Sequence, residues 1–256
     1  MTVPASPETV DMDFVAPRYL AGGGDPAQIT VPLHRAGGWS HRHDPLMPRV
    51  ILISPDQKTM LRIDPDQPWW SVRHARIGDW PAWSMRFDAR TPVEIIAAVT
   101  DTLTDPATAS DPSTDPYEPL RLAGWRDGHD HDGLTSPDGI AHVEHFTDSG
   151  SNCWFARALV SEDPEGLIWQ AYFDGNTPPH LIAAFTRALA DKAPLPRDPL
   201  RLPPSASRCI RRTTHQLPAD AIAFALDKRV ADLAARHAGI TAPPPVTRLP
   251  KQRRSR

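Results

Sequence analysis

The chain has 256 residues, 40% of them hydrophobic, which is room for about two compact domains and too apolar for wholesale disorder. No run approaches the roughly 18 apolar residues of a membrane helix, the first 13 residues carry neither a basic nor an apolar leader region, and Cys153 and Cys209 form no CxxC pair, so the expectation is a cytoplasmic protein with reduced thiols and no membrane partner. The net charge of -3 hides an asymmetry, because from Arg197 onward 13 Lys+Arg face only 4 Asp+Glu, and a basic tail thus follows an acidic body.

In chain order, residues 1–17 are expected to be disordered. A first unit then runs over 18–105. Its short helical segment, His34 to Gly38, ends at Gly38-Trp39. A strand, Val50 to Ile53, enters the Ser54-Pro55-Asp56 turn and a second, Thr59 to Ile63, leaves it. Pro-Asp is ordinary turn chemistry, so this serine reads as part of a hairpin connection rather than a nucleophile. Strands at Trp70 to Ala75 and Trp83 to Phe87 follow, the last with Trp83, Met85 and Phe87 alternating against Ser84 and Arg86, the signature of a sheet with one buried face. Thr91, Pro92 and Glu94 then read as a helix N-terminus with a capping box, and Ile96, Val99 and Leu103 form the apolar stripe of that helix.

Residues 106–115 read as a linker rich in Pro, Asp, Ser and Thr, and a second unit over 116–191 repeats the first. Trp169 to Leu189 matches Trp83 to Leu103 at an offset of 86, with Trp, Phe, Asp, Thr, Pro, Ile, Ala, Ala, Thr and Leu recurring. Gly124-Trp125 matches Gly38-Trp39, and Ser136-Pro137-Asp138 matches Ser54-Pro55-Asp56 at an offset of 82. The second copy therefore reads as a helix from Glu118 to Gly124 and strands at Leu134-Thr135, Ala141 to Phe146, Cys153 to Val160 and Leu167 to Phe173. In the last strand Gln170 and Tyr172 face out. Its closing helix starts at Thr177-Pro178 with stripe residues Ile182, Phe185 and Leu189, and His180 replaces the capping glutamate. The predicted fold class is α+β: two tandem αββββα units, each an antiparallel four-stranded sheet with a helix packed on one face, plus a C-terminal helix. That helix, near 219–237, lies in the basic tail of 192–256 and carries Ile222, Leu226, Val230 and Leu233 on one face.

The segment Arg18 to Pro26 (RYLAGGGDP), the Gly-Trp pairs, the two Ser-Pro-Asp turns, the Trp-x-x-x-Phe-Asp strand ends and the Thr-Pro helix starts resemble the actinobacterial SPDY-domain family. The resemblance spans roughly residues 17–194. That family is a domain of unknown function, often present twice in one chain; here the turns read Ser-Pro-Asp-Gln and Ser-Pro-Asp-Gly. The resemblance implies the tandem architecture and supplies no catalytic residues.

Three features are candidates for chemistry. The loops after Trp39 and Trp125 each hold two alternating histidines and a carboxylate: His41, His43 and Asp44 in one, His129, His131 and Asp132 in the other. Histidines spaced in this way on extended backbone point to one side and suit Zn²⁺. In the tail, Arg208, Arg211, Arg212, Lys228, Arg229, Arg236, Lys251, Arg253 and Arg254 are candidates for phosphate contacts, with those on the helix expected to lie off its apolar stripe. Trp69, Trp70, Trp80 and Trp154 are either stacking platforms or packing residues, and the acidic repeats favour packing. His142 and Glu144 are expected to share a strand face with His145 opposite, which is not a helical His-Glu-x-x-His site. The glycines at 22–24 lack the lysine of a phosphate loop. No cofactor is expected. The function these features favour is a non-enzymatic tandem interaction module for a protein partner or for self-assembly. Its alternatives are a nucleic-acid-binding accessory protein using the tail and a metal-dependent hydrolase using the His-x-His-Asp loops.

Overall fold

The computed structural model describes residues 9–42, 49–64, 69–105, 114–128, 133–148, 151–161 and 164–241. After an N-terminal strand β1 (Thr9–Ala16), the first repeat runs α1 (Ala27–Arg35), β2 (Ser40–Arg42), β3 (Val50–Ile53), β4 (Thr59–Asp64), β5 (Trp69–His74), β6 (Trp83–Asp88), α2 (Val93–Thr104). The second runs α3 (Glu118–Leu122), β7 (Arg126–Asp127), β8 (Gly133–Thr135), β9 (Ala141–Asp148), β10 (Ser151–Leu159), β11 (Leu167–Asp174), α4 (Pro179–Ala190). Strands β12 (Leu195–Arg197) and β13 (Arg211–Pro218) and helix α5 (Asp220–Thr241) follow.

The chain is α+β with antiparallel pairing, but two separate four-stranded sheets are not what forms. A short extra strand after each Gly-Trp brings each repeat to five strands, and the repeats join edge to edge through β6 and β11. The product is one ten-stranded sheet in the order β2-β3-β4-β5-β6-β11-β10-β9-β8-β7. Joining removes two exposed strand edges, each a row of unpaired backbone donors and acceptors. The register of the joint places Met85 opposite Phe173, Arg86 opposite Tyr172 and Phe87 opposite Ala171. Because the repeats are offset by 86 residues, this register maps onto itself when they are exchanged, and the pseudo-twofold axis runs between Arg86 and Tyr172.

One face of the sheet is covered by helices. α2 and α4 pack on each other at the axis, α1 flanks α2, α3 flanks α4, and α5 lies outside α1. The alternating inward residues of both repeats, with Ile96, Val99, Ile182, Phe185 and Leu189 from the helices, form a single continuous core. Phe87, Phe173 and Phe185 meet across the axis with ring centroids 5.1–5.9 Å apart. Trp39, Trp83, Trp125 and Trp169 are all buried. The repeats therefore share one core and do not form two independent ones.

The N-terminus departs from the sequence reading. Residues 9–16, expected to be disordered, form the middle strand of a second sheet, β12-β1-β13. Val15 is fully buried there, and the buried Asp13 accepts a 2.5 Å hydrogen bond from Thr214 Oγ1 and faces Arg212 at 3.7 Å. The partner strands come from the Pro- and Arg-rich segments 195–197 and 211–218, some 200 residues away, so no local pattern announced the pairing. Beyond β1, Arg18 and Tyr19 reach the second repeat. Arg18 donates to the carbonyls of Ala188 and Ala193 and pairs with Asp191 at 2.6 Å; the Trp169 indole donates to the Tyr19 carbonyl at 2.6 Å.

The expected capping box at Thr91 is absent. Pro92 takes the N-cap position, Thr91 Oγ1 is buried with no hydrogen-bond partner among the described residues, and the first helical N–H, that of Val93, is capped by the Gly23 carbonyl at 2.7 Å. A Cβ on Gly23 would lie 2.2 Å from the Ala89 carbonyl oxygen, so the glycine-rich segment is a packing element that ties the N-terminus to α2. Glu94 forms a two-pronged pair with Arg197 instead, at 2.6 and 2.7 Å.

Candidate binding face of the sheet

The Ser-Pro-Asp turns are structural. Ser54 Oγ donates to Asp56 Oδ1 at 2.6 Å and accepts from the Thr59 N–H at 2.9 Å; Ser136 Oγ does the same with Asp138 Oδ1 at 2.5 Å and the Ala141 N–H at 2.8 Å. With both roles of each hydroxyl used inside the turn, neither serine is poised as a nucleophile. The next position is left-handed in both copies, Gln57 at φ 60° and Gly139 at φ 77°. Asp138 also accepts the Tyr19 hydroxyl at 2.6 Å. Burial, and then that hydrogen bond, push the Tyr19 phenol well above its usual pKa.

Of the six candidate metal ligands, His41 lies exposed on β2. His43, Asp44, His129, His131 and Asp132 lie outside the described residues. Among the described residues, no group of three or more His, Cys, Asp or Glu side chains could hold a metal ion. His142 and Glu144 share one face of β9, while His145 turns to the other and stacks on Trp154 at 4.3 Å.

In the tail, Arg208, Arg211 and Arg212 are exposed, as is Lys228, which pairs with Asp232. The helix docks by most of the expected stripe: Leu233 is buried and Leu226 and Val230 are half-buried, while Ile222 is exposed, as is Phe224, which lies off the stripe. Two cations expected to face outward turn toward the body. Arg229 and Arg236 each hold one oxygen of the buried Asp101 on α2 at 2.9 Å, and Arg229 also donates to the Gln28 carbonyl on α1. A buried carboxylate demands partners, and α5 supplies them beside its apolar contacts. Lys251, Arg253 and Arg254 lie outside the described residues.

The cleft on the helical side, about 840 Å³, is lined by Arg18, Asp101, Asp191, Arg229 and Arg236. These charges pair with one another, so the cleft is a charged seam between helices.

Among the described residues, no helix packs on the other face of the ten-stranded sheet. Cross-strand pairing lines up one row over its centre: Arg62 on β4, Ser71 on β5, Arg86 on β6, Tyr172 on β11, Phe155 on β10 and Glu144 on β9. Arg73 stands in the adjacent row, opposite Ser84, and Phe146 opposite Cys153. The ring centroids of Tyr172 and Phe155 are 5.1 Å apart and those of Phe155 and Phe146 5.6 Å, both edge to face. A groove of about 580 Å³ runs over the axis, with Arg62, Trp69, Arg73, Arg86, Phe155 and Tyr172 among its walls.

The charges of this face divide cleanly. Arg62 is held by Asp64, and Arg157 by Glu144 at 2.8 Å. Asp174 accepts the Ser84 hydroxyl at 3.0 Å and the Ser84 N–H. Arg73 and Arg86, both exposed, make no hydrogen bond or ion pair among the described residues. Burial first, then the nearby Cys153 and Asp174, raise the Tyr172 phenol pKa against the pull of Arg86, so it stays a neutral hydroxyl. The two guanidinium groups without a partner among the described residues thus come from repeat 1 and the Tyr/Phe cluster from repeat 2, meeting at Arg86 and Tyr172. The alternation of β6 and β11 already placed Arg86 and Tyr172 outward; the edge-to-edge join that makes them neighbours left no local mark. Of the tryptophans considered as platforms, Trp70 is buried, Trp69 and Trp154 are half-buried, and Trp80 is exposed on a loop.

A family model described as SPDY, a domain of unknown function (DUF317), matches the chain twice, over residues 53–109 and 135–195. Each match begins at a Ser-Pro-Asp turn and runs through the three following strands and the closing helix, and together they cover a little under half of the chain. The two segments agree with two copies of one unit. No curated protein and no solved structure matches the chain. Among the described residues, no helix is long and apolar enough to cross a membrane.

Proposed function

We propose that the chain is a non-enzymatic tandem module that takes its partner on the open face of the joined sheet. One observation carries the reading: exposed aromatic rings and two guanidinium groups without an ion pair among the described residues are gathered over the axis where the repeats meet. Natural sheets seldom leave such a surface uncovered without use, and the serines of the repeated turns are engaged in structure. The alternatives stand behind it. A nucleic-acid-binding tail has lost Arg229 and Arg236 to Asp101, and the metal-dependent hydrolase would rest on loops whose ligands, His41 apart, lie outside the described residues.

A photo-cross-linking phenylalanine analogue placed at Phe155 tests the reading without knowing the partner. The control position is Leu122, exposed at the end of α3. Irradiation in the native host should give a discrete adduct from position 155 and none from 122. Equal labelling at both positions, or none at 155, overturns the proposal.

A further inference from the structure

We infer that this face binds single-stranded nucleic acid, with phosphates on Arg73 and Arg86 and bases against Tyr172, Phe155 and Phe146. The inference rests on the binding-face reading above and names its partner class. From β5 to β9 the arrangement crosses four strand spacings, about 19 Å, a span of several nucleotides. Arg73 is the diagonal neighbour of Arg86 across β5 and β6, at roughly 7–8 Å between such positions, so two guanidinium groups track one line. Beyond Arg86 the line continues without a gap into the edge-to-face rings.

A polymer that alternates an anionic group with a flat π-surface satisfies both halves at once. An acidic peptide would meet the guanidinium half and leave three rings in water. A duplex keeps its base faces stacked inside the helix, where these rings cannot reach them. The acidity of the body is largely offset on this surface: Asp64 and Glu144 are paired with Arg62 and Arg157, and the charge that Asp174 keeps, held by the Ser84 hydroxyl and N–H, is set against the two cations Arg73 and Arg86. The two repeats diverge here at equivalent positions: Arg86 answers Tyr172 directly, and β10 registers with β11 so that Phe155 answers Ser71. Duplication followed by this division of labour turns a symmetric joint into a surface with a cationic and an aromatic end.

The test uses the full chain and a fluorescein-labelled oligothymidylate of about 20 nucleotides, with a duplex of equal length as comparison and anisotropy as the readout. Wild type should bind the single strand more tightly than the duplex. Tyr172→Ala and Phe155→Ala should each weaken binding about 5- to 100-fold, while Phe155→Tyr retains it. Two phosphate contacts give a log–log salt slope of roughly -1.4 for a single strand, which Arg73→Ala with Arg86→Ala should flatten toward zero. Thermal melts of each variant separate loss of the surface from loss of the fold. No binding of the oligonucleotide at about 50 mM salt, or binding that survives the face variants and is lost on substituting Arg208, Arg211 and Arg212, overturns the inference. If the oligonucleotide fails but the adduct at position 155 persists and is digested by protease and not by nuclease, the partner is a protein and the binding-face reading stands. If both fail, both fall.

Discussion

Arg86 and Tyr172 lie directly opposite each other on β6 and β11, and they are the same position of two successive repeats. A residue that faces its own counterpart marks a twofold axis, so the joint between repeats has the geometry of an isologous dimer interface held within one chain. The rings of Phe87, Phe173 and Phe185 close the core beneath it.

One shared core predicts one cooperative transition. Urea unfolding followed by tryptophan emission and by far-ultraviolet circular dichroism should give coincident single curves. Trp169→Ala, which removes a fully buried ring and its bond to the Tyr19 carbonyl, should destabilise the whole chain by about 3–5 kcal/mol. Two separated transitions, with only the second repeat affected by the substitution, would contradict the shared core.

Asp101 is the anchor of α5, and its counterpart in the second repeat is Arg187, which could not receive the same two arginines. Asp101→Asn should cost about 1–3 kcal/mol, between the value of an exposed pair and that of a fully buried one, since Arg229 and Arg236 remain partly exposed. Limited proteolysis should then cut within 218–241 far faster than in wild type. Unchanged protection would mean that the apolar contact of Leu233 alone holds the helix.

Gln57 occupies a left-handed position that Gly139 fills in the other copy. Gln57→Gly relieves a cost of about 1–2 kcal/mol for a side chain in that region, offset in part by the entropy of glycine in the unfolded chain. The net expectation is a gain of roughly 0.5–1 kcal/mol in the urea midpoint analysis. A loss of stability would show that the Gln57 side chain makes a compensating contact. Ser136→Ala, by contrast, strips the turn of a donor and an acceptor and should cost about 1–2 kcal/mol.

Burial lowers the pKa of His74, His142 and His180 from the ordinary 6.5. The folded chain therefore keeps these imidazoles neutral where the unfolded chain takes up protons. Their contribution is fully present above about pH 6.5 and is lost as pH falls from there toward the folded values. Moving from about pH 7.5 to 5.5 should lower the urea midpoint with little change in slope. A midpoint that stays flat or rises over this range would contradict the assignment.

The interior of each repeat was legible in the sequence because its signals are local: period-two alternation around Trp83 and Trp169, turn chemistry at Ser54 and Ser136, helical stripes at Ile96 and Ile182. What the sequence hid is non-local. Strand β1 gains its partners from residues 195–197 and 211–218, the buried charge of Asp101 draws Arg229 and Arg236 of α5 inward, and the Gly23 carbonyl displaces the Thr91 cap. The candidate site was half legible. Arg86 and Tyr172 were placed outward by alternation, but their adjacency is created by the joining of two edges, which each repeat alone does not encode.

Hydroxyl-radical footprinting of the full chain with and without the oligothymidylate reads directly whether the partner sits on the open face over the Arg86–Tyr172 axis, because the aromatic side chains that react are distributed over several surfaces. Tyr172, Phe155, Phe146 and Trp69 should lose reactivity on binding, while Trp80, 73% exposed on its loop, and Phe224, 70% exposed on α5, keep theirs. Protection at Phe224 or Trp80 with Tyr172 and Phe155 unchanged would contradict the account.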